Sequence, residues 1–213
     1  MECPNCSEGE FTHLARHWSG SKCEYPELSR EQKEIVSGVL MGDGNIHIKD
    51  GRNPSLRINI TEREYLEYLS KVFGSMSCNI TSTELSDDNH STVYSWRTRN
   101  NPNLSQFEEW YSSGEKVFPE HLELTPTVLK HWYACDGNYN TSNNQRRIRI
   151  SMLNEKNNTD KIESYFTTYC GVSRFHWDGS ENRCDLVFTV DTTEKIFDYM
   201  GEPLPGFEYK WPN

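Results

Sequence analysis

The sequence predicts an α+β fold in which the pattern α-β-β-α-β-β-α occurs twice, after a short segment rich in cysteine and histidine. Two observations carry this prediction. Two apolar, helix-length segments each end in Asp-Gly-Asn, and their Asp residues lie 93 positions apart. After each segment, apolar and polar residues alternate as they do in half-buried strands. We therefore expect three parts, residues 1–27, 28–118 and 119–213.

The composition favours a folded protein without membrane spans. Aromatic residues make up 12% of the chain, more than disordered chains carry, and no apolar run approaches the roughly 20 residues of a spanning helix. Cysteines stand where a signal peptide would be apolar, so we expect a soluble, intracellular protein. The net charge of −10 does not exclude nucleic acid, because only the binding face must be basic. It also fits a high-salt cytoplasm, as in a halophilic archaeon or its virus, which solubility measured against salt would test.

The N-terminal segment has the residues of a structural zinc site. Cys3 and Cys6 form a Cys-x2-Cys turn, a predicted short helix carries His17, and Cys23 follows. Structural zinc takes four nitrogen or sulfur ligands, and so short a segment buries too little to fold without a metal or another cross-link. We expect Cys3, Cys6, His17 and Cys23 to bind zinc, with His13 as an alternative to His17. Unrelated cysteines and surface histidines are the alternative interpretation.

The first helix of each repeat begins with a recognisable cap. The first has a capping box at residues 29–32, and the second has Thr125 as N-cap with Pro126 at the first helical position. Gly38 and Gly42 lie four positions apart in the first helix. A glycine inside a helix costs up to about 1 kcal/mol relative to alanine, so two of them need a reason. Close approach of another helix along this stripe is one.

Asp43 and Asp136 end these helices, with Gly44 as the expected C-cap of the first. The C-terminal end of a helix is partially negative, so a carboxylate is badly placed there. If the two helices pack side by side, the two carboxylates converge and repel each other unless divalent cations neutralise them. Oxygen ligands open to phosphate favour Mg²⁺, and two or more metals could activate water and stabilise the leaving oxygens. The alternative is that each Asp-Gly is an ordinary turn.

The remaining elements follow in the same order in both repeats. The first repeat is expected to hold strands at 46–49 and 55–61, a helix at 62–73, strands at 79–85 and 92–99, and a helix at 103–112. The second is expected to hold strands near 139 and at 146–152, a helix at 159–170, strands at 172–177 and 185–190, and a helix at 193–200.

One face of each predicted sheet is apolar, and the other is polar and locally basic. Leu56, Ile58 and Ile60 alternate with Arg57 and Asn59, and the second repeat alternates in the same way. A twisted sheet with a basic face can fill the major groove of DNA, although an ordinary solvated face is the alternative. The candidate DNA-binding residues are His47, Lys49, Arg57, Asn59, Ser95, Arg97, Arg99, Arg147, Arg149, Ser151, Arg174 and His176.

Residues 36–44 resemble the LAGLIDADG motif of homing endonucleases, and residues 129–137 resemble its second copy. The closing residues 207–210 also resemble the ends of such proteins, and the resemblance covers about residues 28–213. It implies a monomer of two pseudo-symmetric halves whose strands form a saddle on double-stranded DNA. It also implies cleavage of both strands across the minor groove with Mg²⁺ or another divalent cation, leaving short 3′ overhangs.

The resemblance carries the catalytic role to Asp43 and Asp136. In the family, backbone carbonyls just before these acids help to bind metal, which here implies Gly42 and Cys135. The second motif helix departs from the pattern, because Lys130, His131 and Cys135 stand where small residues would ease packing. We therefore expect the contact between the two helices to be less ideal than in the family.

Other departures concern the basic residues near the strand ends. Family members often place Gln and a basic residue after the second strand, where this sequence has Glu62 and Arg63. A basic group is also expected at the end of the fourth strand, where Arg97 or Arg99 could serve, whereas Asp191 stands at the equivalent place in the second half with no clear basic partner. We expect Arg63 and Arg97 to support catalysis, and one DNA strand to be cut more slowly or alone. Each of these residues could equally be a surface charge.

Three functions fit these observations. The first is a site-specific DNA endonuclease from a free-standing or intron-encoded gene. The second is a DNA-binding protein that kept the fold and lost cleavage, and the retained Asp43 and Asp136 speak against it. The third is an RNA-splicing maturase, although the sequence lacks RNA-type aromatic platforms. We expect the zinc module to extend the DNA footprint, the alternative being that it only tethers the N-terminus.

Overall fold

The chain forms two compact units, one made of residues 1–33 and 44–108 and the other of residues 34–43 and 109–213. The second unit therefore includes the end of the first motif helix. The parts of the chain that this computed structural model describes are residues 2–6, 10–20, 23–84, 92–111, 116–141, 146–153, 155–180 and 183–212.

The first unit is built around a four-stranded antiparallel sheet with the strand order β1-β2-β4-β3. The predicted alternation is confirmed here, because Leu56 and Ile58 are fully buried on one face. The Phe73 ring packs edge-on against Trp96 at 5.2 Å. The helices and strands up to the start of the second repeat are α1 (Leu14–Gly20), α2 (Arg30–Met41), β1 (Asn45–Lys49), β2 (Arg52–Ile60), α3 (Arg63–Phe73), β3 (Thr81–Glu84), β4 (Thr92–Arg97) and a 3₁₀ helix (Pro102–Trp110).

The second unit repeats this plan with a sheet in the order β5-β6-β8-β7, also antiparallel throughout. Ile148 and Ile150 are fully buried, and the ring centroids of Phe166 and Phe188 lie 5.0 Å apart. The equivalent strand order in both sheets confirms the predicted duplication. Its elements are α4 (Pro126–Asp136), β5 (Gly137–Asn140), β6 (Arg147–Ser151), α5 (Thr159–Cys170), β7 (Phe175–Ser180), β8 (Arg183–Phe188) and α6 (Val190–Met200).

Both predicted helix caps are present. The backbone N–H of Gln32 donates to Ser29 Oγ at 3.1 Å, and the backbone N–H of Ser29 donates to Gln32 Oε1 at 3.0 Å, which is the reciprocal pair of a capping box. Thr125 Oγ1 accepts from the backbone N–H of Val128 at 3.3 Å, directly before Pro126. These caps fix where the two motif helices begin.

Several predicted bounds were wrong. The helix expected at 103–112 is a 3₁₀ helix ending at Trp110, and residues 85 and 112 lie outside the described residues. The strand expected at 172–177 begins only at Phe175, because Gly171, with φ 64°, ends α5 in a left-handed turn and Val172 donates back to that helix. Gly44 is not the left-handed cap expected for α2, which ends at Met41.

The described residues include no helix with the length and apolarity needed to cross a lipid bilayer.

Candidate functional site

The glycine stripe of α2 is a packing surface. Within the second unit, a Cβ added to Gly38 would lie 2.6 Å from the Cβ of His131 and 2.5 Å from the carbonyl oxygen of Val128, and one added to Gly42 would overlap Cys135. The two motif helices therefore touch where α2 has no side chains, as the sequence predicts. The larger residues of α4 fill the space that the two glycines leave.

This contact buries an ionisable group. His131 is 1% exposed, and burial lowers its pKa to about 3, so its imidazole is neutral at ordinary pH. Burial also raises the pKa of the Cys135 thiol to about 12, with the charge of Asp43 adding to the effect. The Cys135 thiol is therefore neutral, and the group that Cys135 offers to a hard cation is its backbone carbonyl.

The two aspartates lie together in the second unit. Asp43 is exposed in the turn after α2, and Asp136 is the half-buried last residue of α4. Burial first, and then the charge of Asp43, raise the pKa of Asp136 to about 7. Two carboxylates that disfavour each other's ionisation form a site that a divalent cation would stabilise.

Two lysines that the sequence analysis missed meet the ends of the two motif helices. Lys116 Nζ donates to the carbonyl oxygens of Met41 and Gly42, both at 3.0 Å. Lys210 Nζ donates to the carbonyl oxygen of Ala134 at 2.7 Å, and to that of the next residue at 3.4 Å. Each ammonium group thus satisfies terminal carbonyls and balances the negative end of a helix dipole. At the end of α4 this contact adds to the C-cap residue Gly137, whose backbone N–H donates to the carbonyl oxygen of Tyr133.

The repeat spacing is the signal that could have found these lysines. Lys116 follows Asp43 by 73 positions and Lys210 follows Asp136 by 74, so each lysine closes the repeat whose motif helix it caps. Neither lysine lies in a helix or strand that periodicity would mark: one is in a loop, and the other is in a single 3₁₀ turn.

Glu155 is a third acid near this site that the sequence analysis did not single out. It is 6% exposed, burial raises its pKa, and the charge of Lys116 opposes that rise. Its own charge is one of the causes that raise the pKa of Asp136. Glu155 lies 93 positions after Glu62, which makes the two residues repeat equivalents. Glu62 lies in the first unit, where Thr61 Oγ1 donates to it at 2.8 Å.

The predicted basic residues Arg63 and Arg97 lie in the first unit, whereas both motif aspartates lie in the second. Arg63 Nε is 2.9 Å from Glu67 Oε1 in an exposed pair on α3. The expectation that Asp191 has no basic partner was wrong, because Arg174 Nη1 lies 3.5 Å from its carboxylate. No pattern in the sequence pairs these two residues, since Arg174 precedes β7 and the loop geometry sets the contact.

The candidate DNA-binding residues divide between the two sheets. Arg99 is held by a hydrogen bond within the first unit, since its Nε donates to the carbonyl oxygen of Ser75 at 2.9 Å. Ser151 and His176 are exposed in the second sheet. A concave surface of about 770 Å³ on the first sheet is lined by Arg57, Asn59, Ser95, Arg97 and Arg99, together with Cys78, Asn79, Thr81 and Trp96.

The predicted zinc ligands gather in the first unit. One ligand atom from each of Cys3, Cys6, His17 and Cys23 lies within 4.8 Å of all the others. Cys6 Sγ is 3.3 Å from His17 Nε2, and Cys3 Sγ is 3.5 Å from Cys23 Sγ. His13 is exposed and outside this group, which favours His17 as the histidine ligand. Three sulfurs and one imidazole nitrogen form a donor set that suits structural zinc.

The surroundings of Cys3 favour a thiolate. Burial opposes ionisation, but hydrogen bonds from Trp18, Asn5 and the neighbouring thiols outweigh it and lower the pKa of Cys3 to about 6. The Trp18 indole N–H donates to Cys3 Sγ at 3.2 Å, inside the core of the module. A metal-binding cysteine must be deprotonated, and this environment favours that at Cys3, whereas burial and the neighbouring Cys3 and Cys6 raise the pKa of Cys23 to about 12.

Most of this chain matches part of several curated proteins in sequence. Protein RecA of Mycobacterium shimoidei is 26% identical over 203 residues, covering 86% of this chain and 47% of that protein. Protein RecA of Mycobacterium leprae is 26% identical over 204 residues, covering 86% of this chain and 28% of that protein. The chain thus spans about half the length, or less, of these curated relatives.

Solved structures share the fold. The homing endonuclease I-WcaI, bound to its DNA recognition sequence, superposes with a TM-score of 0.76 at 17% identity, covering 87% of this chain and 88% of that one. Full-length DUF199/WhiA from Thermatoga maritima gives a TM-score of 0.52 at 10% identity, covering 84% and 58%. At these identities the likeness concerns the fold. The model of the LAGLIDADG DNA endonuclease family matches residues 33–195, a span that includes both motif helices and both sheets, and the chain belongs to that family.

Proposed function

We propose that the protein is a site-specific endonuclease that hydrolyses phosphodiester bonds in both strands of DNA with a divalent cation, leaving short 3′ overhangs. The observation that carries the proposal is the meeting of Asp43 and Asp136 at two helix ends, each contacted by a lysine. A structural helix end has no need of two carboxylates that disfavour each other's ionisation. Phosphodiester hydrolysis needs acidic ligands for metal and positive charge for the reacting phosphate.

The carboxylates of Asp43 and Asp136 and the carbonyl oxygens of Gly42 and Cys135 are the groups that would hold the cation. These are hard oxygen donors, which suits Mg²⁺. The bound cation would supply Lewis acidity and lower the pKa of a coordinated water. Burial first, and then the charge of Asp43, raise the pKa of Asp136, and a bound cation would offset both because it stabilises the ionised carboxylate.

Lys116 and Lys210 are assigned to charge stabilisation. Their ammonium groups lie on the carbonyls that adjoin the aspartates, so each is close enough to serve the phosphate that reacts there. A positioned cation of this kind lowers the barrier because negative charge grows on the phosphate oxygens. Glu155 is assigned to accept a proton or to orient water, since it interacts with both Lys116 and Asp136.

Cleavage of a randomised duplex library in Mg²⁺, at low and high salt and with sequencing of the ends, tests the proposal. We expect one recurring sequence cut on both strands with a fixed stagger. Asp43→Asn and Asp136→Asn should each abolish cutting, and Asp198→Asn, whose carboxylate is exposed on α6, is the matched control and should cut at the wild-type rate. DNA retained without cleavage at any salt would contradict the proposal and favour a binding protein of the same fold.

We also propose that Cys3, Cys6, His17 and Cys23 bind one zinc ion that holds the N-terminal module together. In the described part of the module the buried residues are Cys3, Leu14, Trp18 and Pro26, which is a small core, so we expect the metal to supply much of its stability. Elemental analysis should give one zinc per chain, and Cys6→Ser should lose it. Cys170→Ser, on α5, should keep it. Full zinc content in the Cys6→Ser protein would disprove this ligand set.

A further inference from the structure

The exposed face of the first sheet carries positive charge that no carboxylate of the described residues pairs with. Arg57 on β2 and Arg97 on β4 stand directly opposite each other in the antiparallel register. Like charges in that position destabilise a sheet. No aspartate or glutamate oxygen among the described residues lies within 4.0 Å of either guanidinium or of the Lys49 ammonium. The fold therefore holds two arginines together against their own repulsion.

The neighbouring groups add to this concentration of charge. Arg57 Nε is buried with no hydrogen-bond partner in the described structure. The pKa of His47 is lowered, first by burial and then by the charges of Arg57, Lys49 and Arg97, so all four side chains share one electrostatic environment. A buried guanidinium donor without an acceptor is costly, and a phosphate oxygen would satisfy it.

The second sheet has the opposite arrangement. Asp178 on β7 and Asp185 on β8 stand directly opposite each other, and Arg149 bridges them. Its Nη2 lies 2.9 Å from the Asp178 carboxylate, and its Nη1 lies 2.9 Å from the Asp185 carboxylate. Arg183 Nε lies 2.6 Å from Asp185, whose side chain is only 6% exposed. Two of the arginines on this face are thus already bonded to two carboxylates. Of its charged groups, Arg147 is the one with no carboxylate within 4.0 Å among the described residues.

An arginine in such a network is a poor phosphate ligand. To bind DNA it must give up charge-assisted hydrogen bonds to partly buried carboxylates, and those carboxylates would then repel the phosphates. An arginine without an acid partner releases counterions when a phosphate binds, which makes its contribution strongly dependent on salt. The two sheets therefore differ in how many of their arginines are already bonded to acids, although Arg147 Nε of the second sheet, like Arg57 Nε, is buried with no hydrogen-bond partner in the described structure.

We propose that the first sheet, through Lys49, Arg57 and Arg97, supplies most of the phosphate-dependent affinity for DNA, whereas Arg149 and Arg183 of the second sheet are held by Asp178 and Asp185 and contribute little to it. The inference rests on the proposed DNA-binding function. It assigns the two acids a role as restraints, which keep the second sheet from binding any DNA sequence through charge alone. Base contacts on that side are then made by an ordered network with little net charge.

The test is the salt dependence of binding to a labelled mixed-sequence duplex of roughly 30 base pairs, without Mg²⁺, from about 50 to 300 mM salt. The slope of log K against log salt becomes shallower by about 0.9 for each phosphate that the protein no longer neutralises. We expect Arg97→Gln and Arg57→Gln each to flatten the slope by up to that amount, and Arg149→Gln to leave it unchanged. Asp178→Asn should steepen the slope and tighten binding, because it loosens Arg149.

Matched variants separate these effects from a change in total charge. Lys195→Gln removes a positive charge from the exposed side of α6 and Asp198→Asn removes a negative one, and neither should change the slope. Circular dichroism shows whether Arg57→Gln folds. If it does not, Arg57→Lys takes its place: this variant keeps the charge and should therefore keep the slope. Equal flattening by Arg149→Gln and Arg97→Gln, or no difference between Asp178→Asn and Asp198→Asn, would overturn the inference. A wild-type protein that binds no duplex even at the lowest salt would overturn the proposed function itself.

Discussion

At the scale of single residues, Lys116 and Lys210 explain how two helices can end beside two carboxylates. Each ammonium group binds terminal carbonyl oxygens and places positive charge beside an aspartate. The sequence predicted Asp43 and Asp136 because both end a periodic apolar segment. It did not predict the lysines, because they lie outside every periodic element and only the folded chain brings them to the helix ends. Repeat spacing applied to the loops would have found them.

Asp136 should make the protein less stable as it ionises. Its pKa is raised to about 7 in the fold, above the ordinary value of 3.8, so the fold favours the protonated form. Stability from this group is therefore fully present below pH 4 and is lost as the pH rises through 7. Without added Mg²⁺, Asp136→Asn should stabilise the protein at pH 8 by up to about 4 kcal/mol, and should have little effect near pH 4. Urea unfolding at both pH values measures this, and equal effects at the two would contradict it.

Each lysine should matter for catalysis more than for folding. Replacing Lys116 or Lys210 with Met removes a positive charge beside the proposed reacting phosphates, and a loss of about 100-fold in cleavage rate is expected. Gel assays on a supercoiled plasmid carrying the target resolve nicked from linear product. Lys195→Met, exposed on α6, is the control and should cut at the wild-type rate. A wild-type rate for both lysine variants would remove these residues from the mechanism.

Glu155 should influence which metal and which pH support cleavage. The carboxylate is nearly buried and interacts with Lys116 and Asp136. Glu155→Gln removes one negative charge from that group, so the pKa of Asp136 should fall and the pH–rate profile should move to lower pH. Glu194→Gln, which removes an exposed carboxylate from α6, is the control and should leave the profile unchanged. An unchanged profile for Glu155→Gln would mean that this acid has no part in the reaction.

At the scale of elements, the helix contact and the sheet faces were the most predictable features. Glycines four apart predicted a close helix contact, and strict alternation predicted which strand faces are buried. Strand starts were harder, because the left-handed turn at Gly171 delays β7 and no periodic signal marks it. The ion pairs on the second sheet were also beyond the sequence, since Asp178 and Asp185 become neighbours only through the β7–β8 register.

The glycine stripe should tolerate no side chain. Gly38→Ala puts a Cβ onto the carbonyl oxygen of Val128 and the Cβ of His131, and part of the first contact is backbone that cannot turn aside. We expect a loss of about 1–3 kcal/mol in the free energy of unfolding, despite the better helix propensity of alanine. Gly20→Ala in α1 meets nothing within 4 Å and should be close to neutral. Thermal or urea unfolding compares the two, and an equal effect would contradict the close contact.

At the scale of the whole molecule, the chain has a net charge of −10, yet Lys49, Arg57 and Arg97 on one sheet have no carboxylate within 4.0 Å in the described parts of the chain. The net charge alone would have argued against DNA binding, whereas the alternation in the strands predicted a basic face that could bind DNA. The sequence predicted the duplication and its α-β-β-α-β-β-α order, because both copies keep the same spacing. It did not predict that residues 34–43 group with the second unit, because such grouping follows from helix packing and not from order along the chain.

The motif helices have become complementary rather than alike. The small residues are on α2, as Gly38 and Gly42, and the large ones facing them are on α4, as His131 and Cys135. Two copies of α4 packed together would bring large side chains into contact with large side chains, whereas α2 packed on α4 places glycines against them. If residues 1–118 and 119–213 were produced as separate polypeptides, they should recognise each other in preference to themselves. The duplication would first have produced two identical halves able to pair with copies of themselves. The present halves would pair only with each other.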